Sequence, residues 1–468
     1  MYDMIIVGCG PSSYAFLKGL EQNESYYNKK IALICPSNYK DDTLSINVED
    51  ISPKFLQREN LLSLSYYKDS LKNIFVNNFE NIGVHGIGGM ARIWGASIAT
   101  FDRYALERNN LDYNKFIKYY DEMKEFLPYS GNKDDILKSY YNMPTCESVS
   151  ISSKIKNIFG TYLNKSFMIG YPRLLVKTSC DNCNQCLIGC HNDSIWYPMI
   201  EDFKNIKNLD INFISDYLVT EISKRSVTLD GNNNIKVLKA NKIILGAGVI
   251  QNYKLLAQLE KKNENKAKLY TTPAIAFAFL TPKKNNHKNF FGMGNASFIL
   301  NKDEKVKFYG NLYDGYSLSL SNGLVFSKSF ILDKCYKFIS RYMIAGAGFM
   351  SSDNVTVDMN YKEGNIYING KYSENYYNNS SCIIKKLKLF TKQINSVMLH
   401  IKKTKIGADI HYAGGIPEEM YDNNLIIDGK LKKYDSIVLI GGSTFSYLSP
   451  ESPTLSFMAN SYRIGKLL

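Results

Sequence analysis

The chain has 468 residues, of which 45% are hydrophobic and 22% charged, and this composition excludes a largely disordered protein. Its length exceeds what one ordinary domain needs, so we expect two or more folding units. The net charge of +13 comes from scattered lysines rather than a basic stripe, which argues against a nucleic-acid partner. No apolar run reaches the roughly 18 to 20 residues that cross a bilayer, so we expect no transmembrane segment. The absence of a basic leader before the first apolar run predicts a cytoplasmic location.

The N-terminus has the pattern of a strand, a glycine turn, a helix and a second strand. Met4 to Val7 and Ile31 to Ile34 are short apolar runs, and Gly8-Cys9-Gly10-Pro11-Ser12-Ser13 follows the first of them. Gly8 permits a tight turn, Gly10 lets the backbone approach a pyrophosphate, and the next helix supplies free N–H groups at its N-terminus. The arrangement predicts a Rossmann-type dinucleotide site.

Two positions depart from the usual form of this fingerprint. Ser13 stands at the third glycine position, and Cys35 replaces the acidic residue that binds a ribose hydroxyl. Ser37 or Asn38 is the alternative for the ribose contact. A structural turn without a ligand is the competing interpretation of the same glycines.

Four of the nine cysteines lie close together in the chain, at Cys180, Cys183, Cys186 and Cys190. Their spacing equals that of bacterial ferredoxin segments, in which three thiolates hold one iron–sulfur cluster and the fourth ligand comes from elsewhere. Structural zinc normally uses two separated Cys-x2-Cys pairs, and thiols without a metal are the third interpretation. We therefore predict a metal site, with iron–sulfur favoured over zinc and over unmetallated thiols.

The other cysteines are isolated in the sequence. Each is expected to be a small buried apolar side chain, and any one of them could supply the remote fourth ligand. They are Cys9, Cys35, Cys146, Cys335 and Cys382.

Two further strand-and-glycine units follow later in the chain. Lys242 to Leu245 leads into Gly246-Ala247-Gly248, and Ser436 to Ile440 leads into Gly441-Gly442-Ser443. Because three such units are spread from the beginning to the end, we predict an α/β fold whose Rossmann-type nucleotide-binding domain is assembled from discontinuous segments. The predicted divisions are 1–110, 205–270 and 405–468 for that domain, 111–204 for a helical insert with the cysteines, and 271–404 for a substrate domain with an antiparallel sheet.

These motifs together resemble the glucose-methanol-choline oxidoreductases, especially the cholesterol-oxidase-like and pyranose-oxidase-like branches. The segment 88–96 is similar to the family's glycine-rich stretch beside the flavin, and 243–248 to its second dinucleotide motif. The resemblance implies non-covalent FAD, since Ile93 stands where pyranose oxidases carry the histidine that bonds to flavin. The implied FAD contacts are Gly8, Gly10, Ser12, Ser13, Gly88, Gly89, Met90, Trp94, Gly95, Ala96, Val219, Gly246, Ala247, Gly248, Gly442, Ser443, Pro453 and Thr454.

The resemblance also implies two active-site residues. His411 begins the segment 411–415, which is similar to the cholesterol-oxidase motif that carries the active-site histidine. A neutral imidazole can accept the hydroxyl proton when a hydride leaves the carbinol carbon. Ser452 stands where the family usually has histidine or asparagine, so we expect a hydroxyl of shorter reach to orient the substrate. A hydrogen-bonded structural histidine is the competing interpretation of His411.

We therefore predict a dehydrogenase that oxidises a hydroxyl group of a sugar, polyol or sugar conjugate. An iron–sulfur centre would offer electrons an exit toward an acceptor such as a protein. The alternatives are a flavin-binding redox or electron-relay protein with a weakened alcohol site, and an NAD-linked dehydrogenase. Tyrosines of the substrate domain are expected to suit stacking on sugar faces, namely Tyr361, Tyr367, Tyr372, Tyr376 and Tyr377.

Overall fold

The computed structural model describes most of the chain. The described residues are 1–36, 73–81, 83, 86–92, 94–132, 134, 136, 147–159, 167–184, 186, 190, 192–215, 217–231, 234–260, 262–284, 289–300, 307–317, 338–421, 428–431 and 433–468. The predictions for Ser37, Asn38, Ile93, Cys146 and Cys335 fall outside these ranges.

Strand and helix alternate at the start of the chain, and strands predominate over the rest of the described residues. The strands are β1 (Tyr2–Val7), β2 (Lys30–Cys35), β3 (Ile74–Asn77), β4 (Tyr129–Ser130), β5 (Phe167–Gly170), β6 (Leu174–Leu175), β7 (Asp210–Ser215), β8 (Leu218–Ile222), β9 (Ser226–Gly231), β10 (Asn234–Leu245), β11 (Glu264–Tyr270), β12 (Ala274–Leu280), β13 (Ala296–Leu300), β14 (Phe308–Asp314), β15 (Met343–Phe349), β16 (Val355–Lys362), β17 (Asn365–Tyr372), β18 (Val397–Lys403), β19 (Ala413–Pro417), β20 (Lys430–Leu431) and β21 (Tyr434–Leu439). The α-helices are α1 (Pro11–Leu20), α2 (Arg103–Arg108), α3 (Tyr113–Glu122), α4 (Ser153–Phe159), α5 (Ile200–Lys204), α6 (Val249–Leu259), α7 (Glu374–Gln393) and α8 (Thr454–Leu467). Within the described ranges, no helix is both long and apolar enough to span a bilayer.

The first sheet contains the parallel strands β21, β10, β1, β2 and β7 in that order. The central strands β1 and β2 and the last residues of β10 are buried apolar runs, because a parallel sheet is covered on both faces. Val7 pairs with Leu245, and Leu245 pairs with Leu439. The glycine turns after β1, β10 and β21 therefore leave the sheet at the same edge. The predicted Rossmann-type fold from discontinuous segments is confirmed.

The first and last helices pack directly against each other at two glycines. A Cβ added to Gly19 would lie 2.0 Å from the Tyr462 carbonyl oxygen, and one added to Gly465 would lie 2.2 Å from that of Phe16. Neither distance leaves room for any side chain. This contact ties the C-terminal segment to the N-terminal strand–turn–helix unit.

Two further sheets form the second part of the molecule. One has the order β19-β11-β16-β17-β3, and the other, antiparallel, has the order β18-β12-β15-β14-β13-β5. The predicted antiparallel sheet is confirmed, and α7, which was not predicted, packs Tyr376, Ile383 and Phe390 into its phenylalanine-rich core. Strands β3, β11 and β19 join the five-stranded sheet although they lie in ranges assigned to the Rossmann-type domain, and the domain boundaries stay predictions.

Cys9 and Cys35 are paired rather than isolated. The parallel register places Val7 opposite Ile34, so the chain continues from neighbouring strands and brings the two Cα atoms to 5.7 Å. The two residues form a disulfide. Both are buried as predicted, but the prediction that they are isolated is wrong, and a disulfide sulfur cannot serve as a thiolate ligand.

Candidate cofactor and active site

A cavity of about 380 Å³ opens at the sheet edge where the glycine turns meet. Its size lies within the usual range for ligand sites. The structure brings together most of the predicted site residues in its wall. They are Gly8, Gly10, Ser12, Gly89, Met90, Trp94, Gly95, Val219, Gly246, Ala247, Gly248, His411, Gly442, Ser452, Pro453 and Thr454.

Four predicted cofactor residues lie behind this wall. Ser13 is fully buried, and its hydroxyl would lie 2.5 Å from a Cβ added to Gly246. Gly88, with φ +86°, faces the Tyr197 ring, and the Ala96 carbonyl accepts a hydrogen bond from the Leu175 amide. Ser443 accepts a hydrogen bond from the Asn252 side chain at 3.0 Å. These four residues shape the wall from behind.

The glycine turns leave a space that the protein itself does not fill. Gly8 has φ +98°, and a Cβ there would lie 2.5 Å from the Gly246 carbonyl oxygen, so the fold itself requires glycine. Gly10 has an ordinary φ of −86°, and a Cβ there would meet only the Gly89 Cα at 4.0 Å. Nothing in the protein therefore requires glycine at position 10, whereas a ligand lying against the backbone would.

The N-terminus of α1 faces the same space. Gly10 is its N-cap, and no side chain caps the helix. The first-turn N–H groups and the helix dipole suit a phosphate or another anion. The glycine turns and this helix end together fit the pyrophosphate of a dinucleotide such as FAD.

His411 lies in the cavity wall, in front of a buried carboxylate. Its Nδ1 atom is 2.9 Å from the Thr272 hydroxyl oxygen, and its ring centroid is 4.7 Å from that of Phe349. The imidazole remains 15% exposed, toward the cavity. Burial lowers the pKa of His411 to about 4, so the imidazole is neutral at physiological pH and can accept a proton.

Asp409 is the carboxylate behind His411. It accepts hydrogen bonds from the Thr271 hydroxyl at 2.7 Å and from the Thr272 amide and hydroxyl, both at 2.8 Å. Burial raises the pKa of Asp409 to about 6, although these hydrogen bonds act in the opposite direction. The carboxyl is therefore ionised at neutral pH, 4.0 Å from the imidazole Nδ1.

Ser452 is held by a polar network behind its loop. Its hydroxyl donates to the Ser97 carbonyl oxygen at 2.8 Å, so it can meet a substrate only as an acceptor. The preceding residue, Glu451, is fully buried and paired with Lys307, whose ammonium also lies 3.0 Å from Asp102. Burial opposes the charge of Lys307, but the two carboxylates raise its pKa above the ordinary value. This ion cluster fixes the loop that carries Ser452.

Sequence reasoning missed several residues of the cavity. Asp409 could have been predicted, because it lies only two positions before His411. Thr271 and Thr272 could not, because they lie in the link between β11 and β12 and only the fold brings them to His411. The five tyrosines expected to stack on a sugar are absent from the cavity wall. Other aromatic and polar side chains line it instead, namely Tyr309, Asn311, Tyr313 and Phe349.

The cysteine segment packs against the cavity loop from outside. Cys180, Cys186 and Cys190 contact an apolar cluster that includes Ala96 and Trp94. The Gly292 amide donates to the Cys186 sulfur at 3.3 Å, yet burial, with the neighbouring thiols, raises the pKa of Cys186 to about 12. Across the part of the chain that the structure describes, no three His, Cys, Asp or Glu side chains are arranged to hold a metal. The thiols as placed therefore do not fit a metal centre.

The parallel sheet with its glycine edge and the attached sheet domain define a two-part α/β fold of the Rossmann type. A similar fold is found in the crystal structure of pyridoxine 4-oxidase from Mesorbium loti, which aligns with a TM-score of 0.62 over 100% of this chain and 99% of that chain at 10% sequence identity. No protein-family model matches the sequence, and no curated protein matches it. At this identity the likeness concerns the fold.

Proposed function

We propose that this protein is an FAD-dependent oxidoreductase of the glucose-methanol-choline type that oxidises an alcohol. The observation that carries the proposal is that the three glycine turns and His411 line one cavity. The space in front of Gly10 suits the pyrophosphate, and the cofactor would be held without a covalent bond.

The residues present supply the acid–base part of this chemistry. FAD, when bound, provides the hydride acceptor. His411 accepts the hydroxyl proton, which a neutral imidazole at the cavity surface can do. Ser452 accepts a hydrogen bond from a second substrate hydroxyl, because its own proton is directed to Ser97. Phe349 packs on the imidazole and limits water beside it.

The substrate class we propose is a sugar, a polyol or a sugar conjugate. Aromatic side chains in the cavity wall, Trp94, Tyr309, Tyr313 and Phe349, provide apolar faces for a ring, and Asn311 provides polar atoms. The same aromatic wall favours a second candidate, a planar aromatic alcohol. The protein with the similar fold is a pyridoxine 4-oxidase, so pyridoxine represents this candidate.

A flavin-binding electron-relay protein is the alternative function. The orientation of the Ser452 hydroxyl toward Ser97 favours it, since Ser452 then donates no hydrogen bond to a substrate oxygen. The predicted iron–sulfur centre on the four cysteines is not part of this proposal, because within the described ranges no three His, Cys, Asp or Glu side chains are placed to hold a metal ion. Iron and acid-labile sulfide, measured on protein purified under nitrogen, test it directly.

The test of the proposed function is the absorption spectrum of anaerobic protein before and after addition of alcohols. We expect a flavin spectrum that is bleached by a sugar or polyol but not by a tertiary alcohol, which has no hydride on its carbinol carbon. Bleaching by pyridoxine alone would assign the aromatic candidate. A flavin that no alcohol bleaches would favour the electron relay, and a protein without flavin would refute the proposal.

A further inference from the structure

The turn before His411 places a carboxylate, a hydroxyl and an imidazole in a row. Asp409 Oδ2 accepts a hydrogen bond from the Thr272 hydroxyl at 2.8 Å, and the oxygen of that hydroxyl lies 2.9 Å from His411 Nδ1. The Thr271 hydroxyl also donates to Asp409 but does not contact the imidazole through any described hydrogen bond. The two adjacent threonines therefore share the carboxylate and differ in their contact to the histidine.

The number of protons on these three groups determines which of them donates each hydrogen bond. An ionised carboxylate can only accept, so the Thr272 hydroxyl, with a single proton, donates to Asp409. The same hydroxyl can then only accept from His411, which must carry its proton on Nδ1. Nε2 is consequently the ring atom with a free lone pair.

The backbone is strained at the point that creates this row. Ile410, between Asp409 and His411, has φ +64°, in the left-handed region that β-branched residues rarely occupy. Such a conformation is unfavourable and persists where the surrounding structure enforces it, often at a functional site. The left-handed backbone conformation of Ile410 lets the side chains of both Asp409 and His411 reach Thr272.

We infer that Thr272 is a positioning residue that relays the orientation of Asp409 to His411 and holds the imidazole in its Nδ1–H tautomer, with Nε2 as the proton acceptor. The catalytic consequence rests on the proposed function, whereas the tautomer does not. Burial keeps the His411 imidazole neutral, and the hydrogen bonds from Thr271 and Thr272 hold the pKa of Asp409 to about 6 against its burial, so the carboxyl is ionised at neutral pH, as the relay requires. The relay also provides a negative charge near Nδ1 when the imidazole gains a proton.

The direct test is the tautomer of His411 in the protein as purified, read by nitrogen NMR after labelling of its five histidines. His411→Gln identifies the signal. We expect Nδ1–H in the wild type and in Thr272→Ser, and a mixture of tautomers in Thr272→Val. Thr271→Val is the matched control, because it removes a neighbouring hydroxyl from the same carboxylate, and it should leave the tautomer unchanged.

Two outcomes would overturn the inference. One is a wild-type His411 that carries its proton on Nε2, a result that needs no variant to fold. The other is a Thr272→Val protein with an unchanged tautomer. In flavin reduction by a substrate, Thr272→Val should slow the step by about tenfold to a hundredfold with little change in substrate affinity, and Thr272→Ser should restore it. The tautomer is measured without substrate, so this test can be made even if the protein oxidises no alcohol. Conversely, a proton on Nε2 would overturn the inference about Thr272 but not the proposed function.

Discussion

One wall of the cavity consists of backbone, and the other consists of side chains. The cofactor wall, formed by Gly8, Gly10, Gly246 and Gly248, is backbone that the parallel register of β1 and β10 brings together. The catalytic wall, formed by Asp409, His411 and Ser452 with the buried Thr272 behind it, consists of side chains oriented by hydrogen bonds between distant segments. The first wall depends on the absence of side chains, and the second on the position of single atoms. We therefore expect changes in the two walls to have separable effects.

The largest effect should come from filling the space in front of the cofactor wall with Gly10→Val. A Cβ at this position would meet only the Gly89 Cα, at 4.0 Å, so the protein should fold, and the larger side chain should displace the flavin. We expect affinity for FAD to fall at least about a hundredfold, equivalent to about 3 kcal/mol, measured by titration of apoprotein. Ser373→Val makes a matched change at the N-cap of α7, away from the cavity, and should retain FAD. Unaltered FAD binding by Gly10→Val would show that the pyrophosphate lies elsewhere.

The next largest effect should come from His411→Gln in the catalytic wall. The amide cannot accept a proton as imidazole does, so the rate of flavin reduction should fall by about 10²–10⁴ while FAD stays bound. Stopped-flow absorbance measures the rate under nitrogen. His400→Gln, which changes an exposed histidine on β18, should leave the rate unchanged. Equal rates in the two variants would remove His411 from the chemistry.

A smaller effect is expected from Ile410→Gly, which acts on the backbone of the catalytic wall. Glycine accepts a positive φ without strain, so the free energy of unfolding should be maintained or rise by about 1 kcal/mol, after the entropy cost of glycine. The rate of flavin reduction should fall about tenfold, because the imidazole gains freedom. Chemical denaturation and stopped-flow measure the two quantities. Glu363→Gly, at another residue with positive φ, should alter only stability. A less stable Ile410→Gly protein with full rate would contradict the strain argument.

The cofactor wall could be predicted from the sequence because it obeys local rules. A buried apolar strand, a glycine turn and a helix recur within a few residues at Gly8 and Gly246, and parallel strands end at one edge. The antiparallel sheet predicted within 271–404 could also be anticipated, since alternating burial, as along β12, is a local pattern. The catalytic wall could be predicted only at His411 and Ser452, through the resemblance of their segments to a family.

The rest of the catalytic wall depends on contacts between residues far apart in the chain. Thr272 reaches His411 only because β11 pairs with β19, which brings the two loops together.

The cysteine segment shows that a regular spacing in the sequence can also predict a site that the described part of the structure does not form. Its spacing predicts a metal, but spacing alone does not place the sulfur atoms, and burial raises the pKa of Cys186 instead. The disulfide of Cys9 with Cys35 likewise follows from strand register rather than from spacing in the sequence.

The central claim is that three separated stretches hold one flavin, and hydrogen exchange tests it most directly. Apoprotein would be compared with protein to which FAD has been added, with exchange followed by mass spectrometry. We expect simultaneous protection of peptides that contain Gly8 to Ser13, Gly246 to Gly248 and Gly442 to Thr454, in proportion to the flavin bound. Flavin binding that protects only one of these stretches, or no binding at all, would contradict the account.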